Sequence, residues 1–94
     1  MAFVNECLIE VEAFEGNDSL GTDRRKAFVK AYVPQAHESE IEQILRDKCD
    51  FMGFTLIRII QIKNVTETDI PQEALENYRR FDAGFGTFHS FPPP

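Results

Sequence analysis

Hydrophobic and polar positions alternate along residues 2–14, and the alternation predicts a first strand. Phe3, Cys7, Ile9, Val11 and Ala13 share one parity, broken by Asn5, and are assigned to the core face. Glu6, Glu10 and Glu12 share the other with Val4, Leu8 and Phe14. Residues 25–33 repeat the pattern. Ala27, Val29, Ala31 and Val33 form the core parity, and Lys26, Phe28, Lys30 and Tyr32 the other. If these strands pair antiparallel, Lys26 and Lys30 face the Glu6–Glu12 row, each pair worth about 0.2–1 kcal/mol. The run 54–63 differs, being apolar on both parities and interrupted only by Arg58. Thr55, Ile57 and Ile59 point one way; Phe54, Leu56, Ile60 and Ile62 point the other. This reads as a strand inside a sheet, covered on both faces, with the rest of the chain built around it.

Between the second and third strands the period changes. Ile41, Ile44, Leu45, Cys49 and Met52 recur at three- and four-residue steps, a one-sided apolar stripe. Ser39-Glu-Ile-Glu42 has capping-box spacing and sets the helix start at Ser39, and Gly53 suits the closing position. Glu42 and Arg46 stand four apart on the wet side. After Asn64, Asp69 is the expected cap of a second helix with Pro71 in its first turn. Ala74, Leu75, Tyr78 and Phe81 form its apolar side, Glu76 and Arg80 repeat the four-residue pairing, and Gly84 or Gly86 ends it. Residues 85–91 alternate enough for a short edge strand. Pro92, Pro93 and Pro94 then forbid further pairing.

The predicted order is β-β-α-β-α-β, an α+β fold with a mixed sheet and helices packed on it. Strand-helix-strand implies a parallel pair with a right-handed crossover, and the first strand is expected to slot between strands two and three, as in split βαβ and ferredoxin-like folds. The first helix is expected over the Ala27/Val29 face. The second either covers the opposite face or leaves it open for a partner. At 94 residues, with no repeat or linker, residues 1–91 form one domain and residues 92–94 a proline tail.

Composition narrows the function classes. The hydrophobic share of 43% and mean hydropathy of -0.31 fit a soluble folded chain. No apolar run reaches the ~18 residues that cross a membrane, and no basic-then-apolar leader opens the chain, so a cytoplasmic location is expected. The net charge of -6 argues against nucleic acid and permits a basic protein partner. Charge is uneven, because Glu6, Glu10, Glu12, Glu15, Asp18 and Asp23 precede the first Lys or Arg, at Arg24.

Signatures of chemistry are absent. His37 and His89 stand in no metal-ligand spacing, and no cofactor or metal is implied. Cys7 and Cys49 fit no CxxC pattern and read as buried thiols rather than nucleophiles. Gly84-Phe-Gly86 lacks the rest of a phosphate-binding fingerprint. The asparagines of Asn17-Asp-Ser19 and Asn64-Val-Thr66 match a glycosylation sequon that has no meaning without secretion. The acidic half-chain is the feature left over. Its functional reading is a docking patch of Glu10, Glu12, Glu15, Asp18 and Asp23, with Phe28 and Tyr32 as aromatic anchors beside it.

Ala31-Tyr-Val-Pro34, the capped helix, Gly53-Phe-Thr-Leu-Ile57 and Phe85-Gly-Thr-Phe-His-Ser-Phe-Pro92 together resemble small immunity proteins of bacterial polymorphic toxin systems, including contact-dependent inhibition. The likeness covers most of the chain and is one of layout and size. It implies a cytoplasmic, non-enzymatic protein that binds one cognate toxin domain, with an acidic inhibitor suited to the basic cleft of a nuclease. Two other readings stand beside it. One is a small ferredoxin-like ligand-binding domain or enzyme, with an enclosed pocket lined by His89, Tyr78 and a carboxylate. The other is a homo-oligomeric regulatory module or phage-encoded inhibitor, self-associating through an apolar second sheet face.

Overall fold

The structure, a computed structural model, describes residues 3–21 and 25–90. The predicted tail and Asp23 lie outside the described residues. Strand β1 spans Phe3–Ala13, β2 Lys26–Pro34, helix α1 Glu38–Met52 and β3 Phe54–Thr66. A 3-10 turn, Glu67–Asp69, leads to α2, Gln72–Phe81, and to β4, Gly84–Phe85. The strand order is β3-β1-β2-β4, so β1 does occupy the slot and the fold is α+β. The sheet is not mixed as expected. β2 and β3 run parallel to each other but β1 separates them, and every neighbouring pair is antiparallel.

The placement of β3 corrects its expected central role. It is an edge strand, hydrogen-bonded among the described residues only to β1. Its two-sided greasiness has a local cause: the register with β1 slips twice, between Leu8/Ile9 and between Glu10/Val11. Each slip inserts one extra residue in β3, Ile60 and Ile57. Phe54, Leu56, Ile59 and Ile62 therefore all reach the core cluster, while Ile57 and Ile60 are exposed. The alternation fails because the strand is kinked, not because it is covered twice.

The core lies between one sheet face and α1. Cys7, Ile9, Val11, Ala13, Ala27, Val29, Ala31 and Val33 meet Ile41, Leu45 and Cys49 there, as the parity and stripe require. Asn5 sits on this face as well, its side-chain amide donating to the Pro34 carbonyl at 3.1 Å. Phe3 is half exposed rather than core. Helix α1 begins one residue earlier than expected, at Glu38, with His37 as N-cap and no side-chain cap bond, so the Ser39 capping box does not form. Gly53 closes it in the left-handed region at φ 89°.

The second face is covered only at one end. Ile70 and Ala74 pack on Val4 and Tyr32, with Val65, Leu75 and Tyr78 around them. Asp69 does not cap α2, whose N-cap is Pro71. Its carboxylate instead reaches back to accept from the Thr66 backbone N–H at 3.0 Å, and that N–H and the Thr66 hydroxyl hold it below the usual carboxylate range. Helix α2 ends at Asp82, not at Gly84, and Phe81 is exposed. Arg79, rather than Arg80, finds an acid, donating to Glu67 at 2.7 Å. The expected closing strand is reduced to Gly84–Phe85, with a single further bridge from His89 to Phe28. Gly84 lies so close to α2 that a Cβ there would run into the Ala74 carbonyl oxygen.

Gly84→Ala is therefore expected to cost about 1–3 kcal/mol in urea unfolding, by forcing α2 off β4. An unchanged midpoint would contradict this packing.

Candidate functional site

The glutamates of β1 all lie on the second sheet face, and the register decides what they meet. Glu10 faces Phe28 on β2 and Arg58 on β3; Glu6 faces Tyr32 and Lys63; Glu12 faces Lys26 and Thr55. Arg58 Nε donates to Glu10 Oε1 at 2.8 Å, leaving 15% of the Glu10 side chain exposed. Glu6 accepts from Lys63 at 3.3 Å and Tyr32 Oη at 3.0 Å, with Lys30 at 3.9 Å. This face pairs Lys30 and Lys63 with Glu6 and Arg58 with Glu10, and sets Lys26 opposite Glu12 in register, so it is a charge mosaic rather than an acidic patch. Nor is it the apolar face that self-association would use.

The proposed anchors separate similarly. Tyr32 is 2% exposed and belongs to the second core cluster, so it is no surface anchor. Burial first, then its bond to the Glu6 carboxylate, push its phenol well above the ordinary value. Phe28 is half-buried between β1 and the 84–89 segment. Glu15 and Asp18 are exposed in the loop after β1. That loop is tied to the end of α1, because Asn17 Nδ2 donates to the Gly53 carbonyl at 2.8 Å. Of the sequence-derived patch, Glu10 is neutralised, Glu12 faces a lysine in register, and Glu15 and Asp18 sit at the α1 end of the molecule.

Unpaired negative charge gathers on α1. Glu38, Glu40, Glu42, Asp47 and Asp50 are exposed, against Arg46 and Lys48. Among the described residues, only Glu42 of these acids has an ion pair, to Arg46 at 3.3 Å. The same helix ends in Phe51, 90% exposed, and Met52, 39% exposed. Beside them lies a cleft of about 310 Å³ lined by Lys48, Phe51, Met52, Asn77, Phe81, Ala83 and Phe85. Lys48 Nζ and the Arg80 guanidinium stand 5.8 and 5.9 Å from the Phe81 ring centre. Sequence reasoning missed this surface. The signal was present in Phe51, a phenylalanine off the Ile41/Leu45/Cys49 stripe.

No cluster of three or more His, Cys, Asp or Glu able to hold a metal occurs among the described residues. His89 is exposed at the sheet edge, and neither it nor Tyr78 lines the clefts beside α1, β3 and α2. The enclosed His89/Tyr78 pocket of the enzyme reading does not form there. Cys7 and Cys49 are buried free thiols; burial, with Glu6 nearby, pushes Cys7 up to about 12, and burial pushes Cys49 up to about 11. No helix among the described residues is long and apolar enough to cross a membrane. No protein-family profile, curated protein or solved structure matches this chain.

Both thiols ionise more readily in the unfolded chain, near the ordinary value of 9.0, than in the folded one. Stability is therefore full below pH 9 and falls as pH rises towards the folded values, by about 1.4 kcal/mol per pH unit for each thiol. Denaturation midpoints from pH 8 to 11 should show that fall, and Cys7→Ala with Cys49→Ala should remove most of it. A flat profile in the native chain would mean the thiols are not buried.

Proposed function

We propose that this chain is an immunity-type binding protein that neutralises a bacterial toxin domain by covering a basic surface on it. The observation that carries the reading is the outer surface of α1, where five exposed carboxylates run into a phenylalanine left 90% in water. An exposed aromatic beside an apolar cleft is the composition of an interface hot spot. Surrounding unpaired acids speed encounter with a positively charged partner and disfavour acidic ones. The role assigned to charge is the one the sequence suggested, but it moves from β1 to α1, with Glu15 and Asp18 at the same end. Action in the cytoplasm suits two free thiols with no disulfide.

Growth rescue tests this directly. Cells killed by a candidate cognate toxin domain should survive when they also make the native chain, and continued killing with every candidate would count against the reading. Reversing Glu38, Glu40, Asp47 and Asp50 to Lys should weaken affinity most at low salt and flatten its salt dependence. Phe51→Ala should weaken it about 30-fold without changing stability. Unaltered affinity and salt dependence in the charge-reversed chain would refute the assignment of this surface.

A further inference from the structure

We infer that the outer edge of β3, over Gln61–Thr66, takes up an extended segment of another protein as an added strand, one that alternates apolar and basic residues. The inference rests on the reading of this chain as a binder of a basic partner. Three observations carry it. First, β3 is 13 residues long and, among the described residues, pairs only with β1, so its other flank carries backbone donors and acceptors that no described strand takes up. The bulges at Ile57 and Ile60 blunt the first half of that edge. Beyond them the register runs unbroken from Gln61↔Leu8 to Thr66↔Phe3, six residues of straight ladder. That length suits the addition of a peptide strand.

Second, a groove runs beside this edge, between β3 and α1. Two clefts of about 540 and 590 Å³ share Glu38 and Ile59 in their walls and so adjoin. Ile41, Ile57, Ile60 and Ile62 give the groove an apolar lining. Alternate side chains of an added strand would enter it, because successive residues point to opposite faces.

Third, charge selects the occupant. Glu38 has no ion pair among the described residues, and Glu40 adjoins it in the first turn of α1. Two full charges outweigh the partial positive charge of the helix start. Of the cations of β3, Lys63 is held on the other face by Glu6; Arg58 is held by Glu10 and also borders the second cleft, away from Gln61–Thr66. In the cleft beside Gln61–Thr66, Glu38 is the one charged lining residue, so that part of the groove is negative; the adjoining cleft balances Glu38 and Glu42 with Arg46 and Arg58. A second copy is the wrong occupant, because pairing β3 with its own two-fold mate would bring both sets of Glu38 and Glu40 to one junction. Each chain also carries a net charge of -6.

The probes are two blocked octapeptides, one alternating Lys and Val and one alternating Lys and Pro, titrated into the full ¹⁵N-labelled chain. The Lys-Val peptide should shift the amides of Gln61–Thr66 and slow their hydrogen exchange. Glu38→Lys should weaken that binding about tenfold. The Lys-Pro peptide carries the charge but cannot pair as a strand, and it should leave those amides exchanging freely. If Lys-Val leaves β3 untouched while both peptides shift the acidic residues of α1, strand addition is overturned and the basic-partner reading stands. If neither peptide binds, both fall. Concentration-dependent protection of Gln61–Thr66 without peptide would make a second copy the occupant and overturn the inference.

Discussion

β1 is hydrogen-bonded on both flanks, to β2 over Val4–Glu12 and to β3 over Phe3–Ala13, and this double pairing fixes nearly everything else. It forces β2 and β3 parallel to each other with β1 between them, so α1 must cross over the sheet to connect them. It also determines the faces. Cys7, Ile9, Val11 and Ala13 face α1 and are at most 2% exposed, while the glutamates between them face away. On this central strand the two most shielded carboxylates, Glu6 and Glu10, each find a cation or a donor, as burying a charge requires. Arg58, Lys63, Lys30 and Tyr32 supply them from the two flanking strands.

That satisfaction changes where the molecule can present charge. Acids held by cations at 2.8–3.3 Å set register and solvate the sheet, but they offer little to a partner. The uncompensated negative charge lies on α1, whose outer side has no strand beside it to donate bases. The same helix is apolar enough inward to be anchored by Ile41, Leu45 and Cys49, and this anchoring holds Phe51 out at its end. The outward-facing acids and the Phe51 ring make no contact with the core, so they are free to meet a partner while the helix that carries them is held by its inner side.

Much of this was legible in the residues. The alternation of β1 and β2, the α1 stripe and the closing Gly53 required only periodicity and chain chemistry, and the split βαβ order followed from them. What escaped notice has specific causes. The bulges at Ile57 and Ile60 break the two-residue period that parity arguments assume, so an edge strand looked like a buried one. Tyr32 alternates with core residues and so read as outward-facing, but α2 caps that end of the second face and buries it. Glu10 reads as part of a patch because its partner, Arg58, lies 48 residues away in sequence and only the β1–β3 register brings it near. Phe51 went unnoticed because it belongs to no stripe, which is also why it remains exposed.

The central position of β1 is tested most directly by amide hydrogen exchange measured residue by residue. Successive amides of a strand point to opposite flanks, so a strand paired on both sides is protected throughout and an edge strand only at alternate residues. The account predicts slow exchange at every amide from Asn5 to Val11, and alternating slow and fast exchange along Gln61–Thr66. Alternating protection in β1, or continuous protection along β3 in the isolated chain, would contradict it.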